Sequence, residues 1–223
     1  MSAVESRERE RDPVLAYPLG GALYLNLTSA CTLACTFCPK IRDGDWVVGG
    51  FDLRLARNPA VDEVWGAIRR EGLAGRSEVV FTGLGEPTRR LDVLLEIARR
   101  LVAAGVRRVR VDTDGLASLC EGKDVPPLLA DAGVNALSVS LNAPDADTYA
   151  RICPSRHGAA AYDAVKAFIS SAVRCVPEVA ASAVAVPGLS ETECRRAAES
   201  LGARFRWRPY DRLGRIEGAA PGP

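Results

Sequence analysis

Six apolar runs, several of them alternating with polar positions at a period of two, alternate along this chain with stretches of helical period. The runs are ALYLNLT (22–28), EVVFTG (78–83), RRVRVDT (107–113), ALSVSLN (136–142), EVAASAVAV (178–186) and RFRWRPY (204–210), and each predicts a strand. Residues 58–72 predict a helix with Asn58 as N-cap, Pro59 at its first position, an apolar face of Val61, Val64, Trp65 and Ile68, and Gly72 at its end. Residues 89–105 repeat Leu91, Leu94, Leu95, Ala98 and Leu101 at helical spacing and stop at Gly105. A third helix opens with a capping box from Ser190 to Glu193. Six strands alternating with six helical patterns read as repeated βα units around a parallel sheet. The pattern covers residues 20–216 as one domain, and the flanks 1–19 and 217–223 are expected to be flexible.

The alternation also predicts which face is wet. Leu137, Val139 and Leu141 share one face of their strand, and Ser138, Ser140 and Asn142 share the other. Val109 and Val111 oppose Arg108, Arg110 and Asp112, while Phe205 and Trp207 oppose Arg204, Arg206 and Arg208. A flat parallel sheet covered on both sides would be apolar on both faces. A curved sheet with helices outside and a polar concave side fits better: an α/β fold, a partial (β/α)6 barrel, three quarters of the eightfold TIM barrel. Working residues are then expected at the carboxyl ends of the strands.

Composition narrows the context. The 223 residues carry 29 Lys plus Arg against 28 Asp plus Glu, a net charge of +1, so the whole chain offers no general attraction for nucleic acid, though none is excluded. No stretch approaches the ~20 apolar residues that span a bilayer, and MSAVESRERERD is too charged for a secretory signal. Of seven cysteines, Cys120, Cys153, Cys175 and Cys194 stand singly, which suits a reducing, cytoplasmic setting.

The other three are Cys31, Cys35 and Cys38, in CTLACTFCPK just after the first strand. Structural zinc needs four protein ligands, and His157, the only histidine, is the available fourth. Three thiolates on a 4Fe-4S cluster would instead leave one iron open to a small molecule. GLGEP (83–87) follows the second strand; by itself it fits an ordinary strand-to-helix turn, but Gly83 and Gly85 would also let the backbone approach a ligand, with Glu86 and Pro87 fixing a polar rim. Arg110, Arg206 and Arg208 are candidate contacts to a substrate carboxylate or phosphate, or, on the last strand, solvated charge that blunts an edge, and Asp112 is a further candidate substrate residue. Cys153 is either a hydrogen-atom donor or a small buried side chain, and His157 a polar surface or cofactor-adjacent residue or a general base. Residues 42–55 are a lid or a packed connection.

Taken in order, these motifs resemble the radical SAM superfamily, in which the open iron chelates S-adenosylmethionine. The resemblance rests on the cysteine triplet with Phe37 before its last member, GLGEP, VSLN at the end of the fourth strand, VPGLSE (186–191) and RPY (208–210). It implies cluster ligation by Cys31, Cys35 and Cys38, and cofactor contacts from Phe37, Gly83, Gly85, Glu86, Pro87, Thr113, Ser140, Asn142, Gly188 and Tyr210. It further implies reductive cleavage to methionine and a 5′-deoxyadenosyl radical that takes hydrogen from a small substrate, with a low-potential electron donor such as flavodoxin or ferredoxin. Within the superfamily, GLGEPTRRLDVL, DTDGLASL and SVSLNAPDADTYARICPS resemble the TatD-associated radical SAM proteins across about residues 20–210. Asp114 departs from the Thr-Asn-Gly of that type. Runner-up expectations are a 7-carboxy-7-deazaguanine synthase-like enzyme, an activase or modifier of protein or tRNA, and a non-catalytic zinc module.

Overall fold

The computed structural model describes residues 12–210. In chain order the elements are β1 (Ala16–Leu19), β2 (Ala22–Asn26), α1 (Pro39–Arg42), β3 (Val47–Val48), β4 (Phe51–Asp52), α2 (Val61–Glu71) and β5 (Val79–Thr82). A 3-10 turn (Pro87–Arg90) then runs into α3 (Leu91–Ala103), followed by β6 (Val109–Thr113), α4 (Ala117–Glu121), α5 (Pro126–Asp131) and β7 (Ala136–Ser140). The chain continues through α6 (Ala146–Ile152), α7 (Ala160–Cys175), β8 (Glu178–Val184), α8 (Glu191–Ser200) and β9 (Arg204–Arg208). The sheet order is β1-β2-β5-β6-β7-β8-β9, with β2 through β9 parallel and β1 antiparallel on β2. Helical crossovers number five, not six, because they join six parallel strands; any pattern after β9 lies outside the described residues.

Helices cover the apolar face of the sheet. Leu23, Leu25, Val79, Phe81, Val109, Val111, Leu137 and Val139 form one core with Val64, Ile68, Leu94, Ile97, Leu101, Val165, Phe168 and Ile169 from α2, α3 and α7. Registered rows on the opposite face are polar: Asp112 beside Ser138, and Ser140 beside Ser182 beside Arg206. The expected sidedness is therefore the one the chain adopts, and it gives the curved sheet a polar interior.

Two expectations change, and one open choice is decided. Residues 16–19 are not part of a flexible flank but an ordered edge strand, because Gly20 (φ 56°) and Gly21 (φ 82°) make the tight turn that folds β1 back on β2. Of the remaining expected flanks, residues 1–11 and 217–223 lie outside the described residues, while buried Leu15 accepts from the Asn26 N–H at 2.9 Å. Helix α2 starts at Val61 with Ala60 as N-cap, not Asn58, because Glu63 turns back to accept from the Ala60 N–H at 2.8 Å while also pairing with Arg57. The stretch 42–55 is a packed connection rather than a free lid: β3 and β4 form a hairpin around Gly49 and Gly50, and its Val48 and Leu53 join Tyr17, Tyr24 and Val80 in a second, smaller core. Ser190 Oγ accepts from the Glu193 N–H at 3.3 Å, as the sequence indicated for that cap.

Candidate active site

The cysteine loop leaves the end of β2 and is held from two sides. From one side comes the segment after α6: Ala34 N–H donates to Pro154 O (2.8 Å), Thr36 N–H donates to Ile152 O (2.9 Å), and Leu33 bridges Ser155. From the other comes the loop after β5, whose Glu86 N–H donates to Ala30 O at 2.9 Å. A Cβ at Gly85 would stand 1.9 Å from Thr28 O and 2.9 Å from Ala30 O. Gly85 is therefore required by the cysteine loop's own backbone, a reason that sequence reasoning did not supply, and it also lines the cavity described next. Gly83 (φ 135°) is similar, its Cβ falling 2.9 Å from Asn26 Oδ1.

These loops enclose a cavity of about 260 Å3 at the carboxyl ends of the strands. Its walls include Cys31, Cys35, Phe37, Cys38, Gly83, Gly85, Glu86, Thr113, Ser140, Asn142 and Tyr210 from the expected cofactor set, and Arg110, Asp112, Arg206 and Arg208 from the expected substrate set. Besides His157, taken up below, three residues named from the sequence do not line it. Pro87 is buried at the start of the 3-10 turn, where it shapes the backbone instead. Gly188 is exposed, with nothing within 4 Å of an added Cβ. Cys153 is buried behind Cys35, 3.5 Å from its sulfur, which removes the geometric basis for a hydrogen donor facing substrate. Tyr17 and Val48 are among the lining residues that escaped sequence reasoning, and both are carried by short ribbons with Gly-Gly turns. Those turns were the readable signal.

Glu86 organises the floor between the loops. Its Oε1 accepts from Thr88 N–H (3.0 Å), Thr88 Oγ1 (2.7 Å) and Thr113 Oγ1 (2.8 Å), and its Oε2 accepts from Asp114 N–H (2.7 Å). Burial raises its pKa against the pull of these four donors. Asp114 is raised well above the carboxylate range, first by burial and then by Glu86, whose carboxyl group it contacts. Farther along the wall, burial raises Asp112, countered first by Arg110, whose Nη1 lies 3.5 Å from it, then by Arg208 and Arg206. Burial lowers Arg208, countered first by Asp112. The split reading of the β9 arginines thus resolves by position: Arg206 and Arg208 face the cavity, while exposed Arg204 pairs with Glu178 at 2.9 Å.

The donor set fits an iron-sulfur cluster and a polar ligand. Burial raises the Cys38 thiol, and it raises Cys31 to about 12, with Glu86 second, even though Cys31 is exposed at the rim; the surrounding loops displace much of its hydration. Among the described residues no group of three or more His, Cys, Asp or Glu converges as a mononuclear site requires. A cubane takes one thiolate per iron, so its ligands stand apart. His157 lies with Nε2 3.7 Å from Cys120 Sγ and does not line the cavity, so it is no fourth ligand to the triplet. Buried polar atoms in the cavity wall are left without a hydrogen-bond partner, Asn142 Oδ1 and Arg208 Nε among them. Unsatisfied groups of this kind point to a bound polar molecule.

Comparison with known proteins agrees with this geometry. A family model described as the Radical SAM superfamily matches residues 25–201. A probable dual-specificity RNA methyltransferase, RlmN 1 of Opitutus terrae, is 34% identical over 132 residues, covering 56% of this chain and 34% of that protein. A probable GTP 3′,8-cyclase of Saccharolobus solfataricus is 33% identical over 153 residues, covering 68% of this chain and 43% of that one. The chain thus spans between about a third and about two fifths of the length of these relatives. Among solved structures, HydG, a maturase of the [FeFe]-hydrogenase, superposes with a TM-score of 0.61 at 13% identity, over 84% of this chain and 42% of that one, which speaks to the fold.

Proposed function

The chain belongs to the radical SAM superfamily, and from that premise we propose that it cleaves S-adenosylmethionine at a 4Fe-4S cluster on Cys31, Cys35 and Cys38 and acts on a small anionic substrate. It is an enzyme that uses this cluster and S-adenosylmethionine, as its family does. The observation that supports the full reading is that the three thiols and the arginines of β6 and β9 open into one cavity. When bound, the cluster supplies the electron that breaks a carbon–sulfur bond of S-adenosylmethionine.

The protein's part is binding, orientation and exclusion of water. Asp112, Asp114 and Glu86 give one wall carboxyl oxygens suited to an ammonium group, and Asn142 offers an unpaired amide oxygen. Arg206 and Arg208 add guanidinium donors suited to a carboxylate or phosphate. Phe37, Tyr17 and Val48 supply apolar surface that displaces water. A low-potential reductant such as flavodoxin or ferredoxin completes the requirement. The motifs GLGEPTRRLDVL and SVSLNAPDADTYARICPS support the narrower placement among TatD-associated proteins.

The test is production of 5′-deoxyadenosine by anaerobically reconstituted, dithionite-reduced protein. Wild type forms it, and Cys31→Ala lowers the rate at least about 100-fold; a wild-type chain that carries a full complement of iron and sulfide yet forms none overturns the reading. A panel of organic carboxylates and phosphate monoesters is expected to stimulate turnover, and Arg208→Ala to remove the stimulation. A second reading, action on RNA, is favoured by the similarity to proteins named as RNA methyltransferases. Stimulation by total RNA and by no small anion would select it.

A further inference from the structure

The mechanism above leaves Cys153 unused. Its sulfur lies 3.5 Å from Cys35 Sγ and accepts from Asn142 Nδ2 at 3.4 Å, with the residue 1% exposed. The contact is held in register by backbone: Ala34 bonds to Pro154 and Thr36 to Ile152, so the residues flanking Cys35 pair with those flanking Cys153. Asn142 is held as firmly, in a left-handed conformation (φ 59°), the only such non-glycine among the described residues, with its N–H on Ser182 O at 3.0 Å. A thiol placed in this way is not a chance occupant of the core.

We propose that Cys153 is a positioning residue for the cluster, donating its S–H to the sulfur of Cys35 and thereby making the bound cluster easier to reduce. This rests on the radical SAM reading. An iron-bound Cys35 is a thiolate and has no proton to give, so the one proton available to the sulfur–sulfur contact belongs to Cys153. Asn142 occupies an acceptor side of the Cys153 sulfur, which leaves the S–H free to face Cys35 and strengthens it as a donor. A hydrogen bond to a ligand sulfur withdraws charge from a cluster and favours the more negative, reduced state. The same chain of contacts links the cavity to the cluster, because Asn142 lines the cavity and its Oδ1 awaits a partner there.

The test reads the cluster's midpoint potential by electron paramagnetic resonance during an anaerobic redox titration without S-adenosylmethionine. Wild type is compared with Cys153→Ala, which deletes the proton, and Cys153→Ser, which restores a donor. Folding is checked by circular dichroism and loading by iron and sulfide content. The midpoint is expected to move to lower potential in Cys153→Ala and to recover toward wild type in Cys153→Ser. Equal midpoints in all three loaded proteins overturn the proposal while leaving the enzyme reading intact. Should Cys153→Ala fail to fold, Cys153→Val, which fills the site without a donor, takes its place, and a midpoint equal to wild type's in that loaded variant overturns the proposal. A wild-type chain that assembles no cluster overturns both readings together.

Discussion

Single residues in this protein act mostly by deciding which loops can touch. Gly85 is the sharpest case, since a methyl group there meets a backbone carbonyl oxygen 1.9 Å away that has no rotamer to adopt. Gly85→Ala is expected to cost about 3 kcal/mol in chemical unfolding and to lower cluster loading. Gly188→Ala, with open space around it but φ 84°, should cost about 1 kcal/mol and leave loading unchanged. Asp114 gives a pH-dependent prediction. Its pKa is raised on folding, so the folded chain binds more protons than the unfolded one above the ordinary carboxyl range, and stability falls as pH rises through that window. Asp114→Asn removes this loss and turns an acceptor into a donor facing Glu86. The thermal midpoint of the metal-free variant should therefore exceed wild type at neutral pH, by the equivalent of about 1 kcal/mol, and the two should converge toward pH ~4. The sequence already displayed the departure at 114. What it could not display was Glu86 across from it, since that contact spans two strands and their loops.

At the scale of elements, a five-residue strand such as β6 announced both its existence and its inward face, because one period-two repeat decides where five side chains go. Ribbons of two residues, such as Val47–Val48 and Phe51–Asp52, are too short for any period to register. They hold their place through packing. Val48 joins Tyr17, Tyr24, Leu53 and Val80 beneath the cavity mouth. Val48→Asp buries a carboxylate there and is expected to destabilise by about 3 kcal/mol or more in thermal or chemical unfolding; an unchanged midpoint would mean the hairpin is not seated on the sheet. Helix boundaries were less legible than helix faces. Buried Val64 and Ile68 in α2, and Leu91, Leu94, Ala98 and Leu101 in α3, follow the sequence pattern, whereas the start of α2 was set by where Glu63 finds a donor.

The whole molecule is an open curved sheet whose two ends differ in task. At the amino ends of the strands, Arg108 pairs with Glu78 at 2.9 Å and with Glu178, and Glu178 also pairs with Arg204, tying β6, β8 and β9 together. Arg108, then Arg204, lowers the Glu178 pKa, so this contribution is present at neutral pH and fades as pH falls through the carboxyl range. Glu178→Gln should give a small drop in thermal midpoint at pH 7 that vanishes on acidification, as expected of an exposed network. At the carboxyl ends, the cysteine loop takes its backbone partners from residues far along the chain, and 118 positions separate Cys35 from Cys153. Synthesis runs from the amino end, so the three thiols leave the ribosome long before the stretch that seats them exists. On the reading proposed above, iron offered to that early chain finds no finished socket, and the timing of cluster delivery falls under the control of folding.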